Sequence, residues 1–299
     1  MSDKFKSFGS LLTAMVTPFD DDNLLDLPRA QLLAKKLIQE GSDGLVVVGT
    51  TGESPTLSHE EKILLFRAVR EATSKIVIAG TGTNDTAASV RMTKEAEEIG
   101  VDGILLVNPY YNKPSQEGLY RHFEAIARAT SLPVILYNHP GRTGVNLAPE
   151  TVARLMDCQN IVGLKDASGS LELASQYLKA ARPGFALYSG DDSLILPIMS
   201  LGGAGVISVA SHVAGRDLHR MISLAEQNDF QAARAIHFRY FDLFKGLFAA
   251  PNPAPTKAAL EMLGFPVGGV RLPLVALNSV EKATLRGILE NLELPHLEG

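Results

Sequence analysis

Eight short apolar runs, each followed by a helix-forming segment, constrain the fold of this chain more than any other feature. The runs occupy residues 11–16, 45–48, 76–79, 104–107, 134–137, 161–165, 186–189 and 205–209. They are almost continuously apolar rather than alternating, which is the pattern of strands covered on both faces, as in a parallel sheet. Helix signals recur between them. Asp26 can cap a helix with Pro28 in its first turn, and Leu32, Leu33 and Leu37 follow at helical spacing. Ser58 and Glu61 have capping-box spacing, and Ser115 can open a helix carrying Leu119, Phe123 and Ile126. Leu218, Met221, Ile222 and Ala225 form an apolar stripe at the end of the eighth unit. This beat predicts an α/β fold, a closed (β/α)8 TIM barrel. An open doubly wound sheet is the competing architecture, disfavoured because no GxGxxG turn follows any strand. After residue 227 the strand pattern stops, and residues 231–248, 254–263 and 277–292 read as three helices separated by Pro/Gly-rich stretches. The expected division is therefore a barrel over 1–227 carrying the active site and a C-terminal helical appendage over 228–299.

Composition acts by exclusion. A net charge of −5 with no basic block leaves nothing to neutralise phosphates, so no nucleic acid partner is expected. No apolar run approaches the roughly 20 residues that a spanning helix needs, and the N-terminal MSDKFKSFGS lacks the apolar centre of a secretory leader. A cytoplasmic location is expected. One cysteine, Cys158, excludes an internal disulfide and a cysteine metal cluster, and the seven histidines show no HxH or HExxH spacing. Neither a metal nor a cofactor is expected.

Barrel chemistry concentrates on the rim formed by the C-terminal ends of the strands. There the sequence places Gly49-Thr-Thr-Gly-Glu-Ser54, Asn108-Pro-Tyr-Tyr-Asn-Lys-Pro114, Tyr137-Asn-His-Pro-Gly-Arg142, Lys165-Asp166, Ser189-Gly-Asp-Asp192 and Ile207-Ser208. Lys165 ends an apolar strand where a solvated lysine has no evident reason to lie. Desolvation lowers an ammonium pKa and frees the amine to attack a ketone; a structural ion pair with Asp166 is the equal alternative. Tyr137 ends the neighbouring strand and can move protons for such an amine, or be a core tyrosine. Thr50 and Thr51 offer hydroxyls and turn N–H groups to a carboxylate, and one hydroxyl could bridge two phenols; the same turn could equally be a capped loop. Arg142 can hold a second carboxylate or be a surface arginine. Asp191 and Asp192 read as helix caps more readily than as metal ligands.

These residues lie in longer motifs: TAMVTPF (13–19), GTTGES (49–54), NPYYNKPSQEGLY (108–120), ILYNHPGRTG (135–144), GLKDASG (163–169) and, between 189 and 209, SGDD followed by LGGAGVISV. In that order and spacing they resemble the dihydrodipicolinate synthase / N-acetylneuraminate lyase family over essentially the whole chain. The resemblance implies Lys165 as the imine-forming lysine, Tyr137 as the proton relay, and Thr50 as the link from Tyr137 to Tyr111. It implies that Tyr111 reaches into a neighbouring subunit's site, hence a homo-oligomer, often a dimer of dimers. It further implies Thr51 on the pyruvate carboxylate, Ile207 lining pyruvate through its backbone, and Arg142 receiving the carboxylate of the second substrate. The implied reaction condenses pyruvate with L-aspartate 4-semialdehyde. Sister enzymes that cleave keto-deoxy sugar acids share the lysine and tyrosine, so Arg142 is the discriminator; a catalytically silent, ligand-sensing barrel is a third reading. An effector site is implied at Ser54, His59, Lys62, Asn84 and Tyr110. Two departures bear on regulation: Lys62 stands where lysine-inhibited relatives carry histidine, and Ala88 where they carry an acid, so weak lysine inhibition is expected. A third, His139, replaces a small aliphatic residue between Tyr137 and Arg142.

Overall fold

The computed structural model describes residues 8–297; most of the N-terminal stretch read above therefore lies outside the described residues. Strands β1 (Leu11–Ala14), β2 (Gly44–Val47), β3 (Ile76–Gly80), β4 (Gly103–Val107), β5 (Val134–Asn138), β6 (Ile161–Asp166), β7 (Ala186–Ser189) and β8 (Gly205–Ser208) close into one barrel in chain order. Every neighbouring pair is parallel, and β1 meets β8 with Leu12 opposite Ile207. The closed barrel, not the open sheet, is the architecture. Side chains take the second amide beyond β1 and the first beyond β8, where the apolar runs outlast the strands. The Val16 N–H goes to His212 Nε2, and the Val209 N–H to the Asp192 carboxylate.

The helices on the barrel are α1 (Leu27–Gln39), α2 (His59–Ala72), α3 (Thr86–Ile99), α4 (Gln116–Ala127), α5 (Pro140–Thr143), α6 (Pro149–Leu155), α7 (Leu171–Ala180), α8 (Ile195–Ser200) and α9 (Ser211–Glu226). Their starts follow the local chemistry read from the sequence. Asp26 accepts from Arg29 N, Ser58 and Glu61 form a reciprocal capping box, and Ser115 accepts from Gly118 N. The short helix α5, extra to the eight units, was not foreseen, since so few residues cannot display a periodic apolar stripe.

Two apolar layers hold the barrel. Leu12, Val46, Ile78, Leu105, Ile135 and Ile207 fill its interior, while a larger outer layer packs strands against helices. Helices α10 (Phe230–Gly246), α11 (Ala254–Met262) and α12 (Ser279–Leu292) follow. They contribute Tyr240, Leu260 and Leu285 to that same outer layer, so they share the barrel's core rather than building their own.

Candidate active site

The position of Lys165 depends on a register irregularity. Val134 pairs with Ile161, but the next residue, Ile135, pairs with Gly163, so β6 carries one extra residue there. Side chains alternate along a strand, and an inserted residue reverses which face each later side chain takes. Ile161 packs in the outer layer; without the bulge Lys165, four residues on, would face the same way. With it, Lys165 pairs with the inward-facing Tyr137, and Asp166 pairs with Asn138. Gly163 is where this is feasible, because a Cβ there would lie 2.7 Å from the Ala186 carbonyl oxygen.

Lys165 is buried, and its Nζ lies 4.4 Å from the centre of the Tyr137 ring. Burial lowers its pKa to about 8, opposed by the charge of Asp192 and assisted by that of Arg142. At pH 7 about a tenth of such amines is free, against roughly one in three thousand for an unshifted lysine. The ion pair with Asp166 does not form. Asp166 turns to the other face, where Ser168 Oγ, Ser168 N and Asn138 Nδ2 donate to it, and among the described residues Lys165 makes no ion pair. Gly190 gives the lysine room: a Cβ there would lie 3.1 Å from Lys165 Cε and 2.7 Å from Ala167 Cβ.

Tyr137 is buried beside it and accepts a hydrogen bond from Thr50, which favours its phenolate, while burial pushes its pKa up more strongly. Tyr137 borders a cavity of about 250 Å3 also lined by Thr50, Ser54, Tyr110, His139 and Arg142, among others. Its size suits a small metabolite. Arg142 is exposed on α5, directly after β5. His139 occupies the N-cap position of α5 without a side-chain capping bond, and its ring stands edge-on to Tyr137 with centroids 6.1 Å apart. Burial, then the charges of Arg142 and Lys165, lower its pKa to about 4, so it is a neutral imidazole at pH 7.

The other residues singled out in the sequence divide by location. Ile207 lies in the interior layer with Tyr137. Thr51 is buried, its hydroxyl accepting from Asn252 Nδ2 at 2.9 Å. Tyr111, in contrast, is 90% exposed at a φ of 75° and does not reach the Thr50–Tyr137 pair of its own chain. Ser54 and Tyr110 line the cavity, while His59 pairs with Glu95 at 2.7 Å, outside it. Burial lowers the Lys62 amine, and the Asn84 carbonyl accepts from Asn112. Asp191 caps a 3-10 turn through Ser193 N. Asp192 does not cap it; its buried carboxylate accepts from Ser208 Oγ, Val209 N and Ala210 N. No group of three or more metal-ligating side chains occurs among the described residues, and no helix there is long and apolar enough to cross a membrane.

Sequence reasoning missed Asn252, Lys257 and the bulge. Lys257 is buried on α11 with Nζ 2.7 Å from Glu53 and over the Phe19 ring at 4.2 Å. The run Pro251-Asn-Pro-Ala-Pro255 looked like a spacer; an asparagine between two prolines, and a lysine two residues past the last, were the available signal.

A closed parallel barrel whose rim holds a buried, unpaired lysine over a hydroxyl-bonded phenol defines a lyase of the class I aldolase type. The Dihydrodipicolinate synthetase family model matches residues 7–292, and the chain belongs to that family. It is 56% identical over 285 residues to a 4-hydroxy-tetrahydrodipicolinate synthase of Moorella thermoacetica, covering 95% of this chain and 98% of the relative. The crystal structure of a dihydrodipicolinate synthase from Bacillus anthracis superposes with a TM-score of 0.93 at 48% identity, over 95% of this chain and 98% of that one. The enzyme from Cyanidioschyzon merolae with lysine bound gives 0.94 at 48% identity, over 96% and 99%.

Proposed function

We propose that the chain is a 4-hydroxy-tetrahydrodipicolinate synthase, condensing pyruvate with L-aspartate 4-semialdehyde in lysine biosynthesis. Relatives of that activity spanning nearly the full chain support the reading. The observation that carries the chemistry is the buried amine of Lys165, in no ion pair among the described residues and held over Tyr137. Its free form attacks the keto carbon of pyruvate, and loss of water from the carbinolamine leaves an imine. Tyr137, hydrogen-bonded by Thr50, passes protons as the carbinolamine collapses and as the methyl group loses one to give the enamine. The enamine carbon attacks the aldehyde, forming the new C–C bond, and the amino group of the second substrate then displaces Lys165 as the ring closes.

Thr51 receives the pyruvate carboxylate and the Ile207 backbone lines the bound pyruvate. Arg142, exposed at the mouth, receives the carboxylate of aspartate semialdehyde. Tyr111 acts in the site of a second copy; its exposure and left-handed backbone suit a side chain completed by a partner, so the working form is a homo-oligomer, a dimer of dimers in the cytoplasm. Ser54, His59, Lys62, Asn84 and Tyr110 form an effector site at which lysine binds weakly. Lys62 adds positive charge, and Ala88 supplies no carboxylate to balance a cationic effector.

A coupled assay tests the reading. Pyruvate and L-aspartate 4-semialdehyde are supplied with dihydrodipicolinate reductase, and NADPH consumption is followed. Turnover far above that with keto-deoxy sugar acids is expected; the reverse ranking would assign the chain to the sugar-acid lyases, and no reaction with either would mark a silent barrel. Lysine at micromolar concentrations should inhibit little, and strong inhibition there would contradict the effector assignment.

A further inference from the structure

The loop that carries Thr50 and Thr51 is held from the far end of the chain. Asn252 lies 201 positions beyond Thr51, and its side-chain amide donates to the Thr51 hydroxyl oxygen at 2.9 Å. Both residues are almost completely buried, at 4% and 5% exposure. The next residues of the loop are gripped from the same direction. Lys257 pairs with Glu53, the Arg271 N–H donates to Glu53 at 2.9 Å, and the Arg271 guanidinium spans Glu61 and the Thr56 carbonyl. A solvent-free anchor of this kind holds one geometry, because each hydrogen bond is strong where water cannot replace it.

The direction of the Asn252 bond has a chemical consequence. A hydroxyl has a single proton and two lone pairs. With an amide N–H on the lone-pair side, the Thr51 proton is left to donate, and among the described residues it has no acceptor. That is the polarity a carboxylate ligand requires. We propose that Asn252 is a positioning residue for pyruvate: it orients the Thr51 hydroxyl as a donor to the pyruvate carboxylate, so that the C-terminal helices complete a site otherwise built on the barrel rim. The inference rests on the assignment of Thr51 to that carboxylate made above.

Asn252→Asp tests it with almost no change in shape. A carboxylate can only accept, so it draws the Thr51 proton to itself and turns the hydroxyl lone pairs toward the substrate anion. The KM for pyruvate should rise on the order of tenfold to hundredfold, the range of a lost hydrogen bond to a charged group, with the KM for aspartate semialdehyde unmoved. Asn252→Ala, which removes more volume but reverses no polarity, should raise it less. A role in packing alone gives the opposite ranking. Lowering the pH protonates the introduced carboxyl and lets it donate, so the ratio of variant to parent pyruvate KM should fall as pH drops. In a Thr51→Val background, Asn252→Ala should add nothing to the pyruvate KM; this comparison stands even if the aspartate variant does not fold. An unchanged pyruvate KM in Asn252→Asp, an alanine variant worse than the aspartate one at every pH, or an equal rise for both substrates would each overturn the inference. Trapping with borohydride separates this from the functional reading. If the parent protein forms no reducible pyruvate adduct, the functional reading fails; if it does and Asn252 leaves the pyruvate KM untouched, only the present inference fails.

Discussion

Lys165 and Lys257 invite comparison because they are alike in nearly everything that usually marks a reactive lysine. Both are buried, both sit over an aromatic ring, and burial pushes both amines down to about 8. Their partners differ. Lys257 is engaged by the Glu53 carboxylate at 2.7 Å and donates to the Gly269 carbonyl. The one carboxylate charge acting on Lys165 is that of Asp192, whose oxygens are occupied by Ser208, Val209 and Ala210. A depressed pKa reports desolvation; nucleophilic use also needs a lone pair that nothing else occupies. In the proposed function the unpaired Lys165 is the lysine that reacts, while Lys257 is tied to Glu53 in the loop that carries Thr50 and Thr51.

Methionine at each position should separate the two roles most sharply. Lys165→Met should lower turnover by at least about four orders of magnitude, as removal of a covalent nucleophile does, and leave a folded protein. Lys257→Met strands Glu53 as a buried charge and should cost about 3–5 kcal/mol of stability in denaturant unfolding, while the folded fraction still forms the pyruvate adduct. Equal stability losses in both variants would erase the distinction drawn here.

A smaller effect should follow from crowding Lys165 without removing it. Gly190→Ala places a methyl group against Lys165 Cε and Ala167 Cβ and should reduce kcat on the order of tenfold to hundredfold through misplacement of the amine. Unchanged kcat would mean the lysine chain passes elsewhere. Slighter still is the pH response. Adduct formation limited by free amine should rise with pH up to about 8 and then level off. For stability the sign is the same. Both folded-state values lie below the unfolded one, so between about 8 and 10.5 the unfolded chain holds more protons, and stability rises with pH across that window. Lys165→Met should flatten part of that rise in unfolding measurements; an unaltered slope would mean the amine is not desolvated.

Much of this site was legible before any coordinates, because barrel strands buried on both faces announce themselves and their C-terminal ends lie on one rim. That logic brought Tyr137, Lys165, Thr50 and Arg142 together from distant motifs. It did not reveal why Lys165 points inward. Ile161 to Lys165 reads as a uniform apolar run, and the extra residue opposite β5 leaves no mark beyond Gly163. Nor could periodicity reveal Asn252 and Lys257, whose contacts with Thr51 and Glu53 cross about two hundred residues. Alternation along a strand already sets the adjacent Lys165 and Asp166 on opposite faces; the register adds only that Lys165 takes the inward one.

The most direct test is to incubate the protein with pyruvate, reduce with borohydride, and map the modified peptide by mass spectrometry. A reduced pyruvate adduct on Lys165, with Lys257 unmodified, is the expected result. Modification of Lys257, or a folded protein with no adduct at either lysine, would contradict the account.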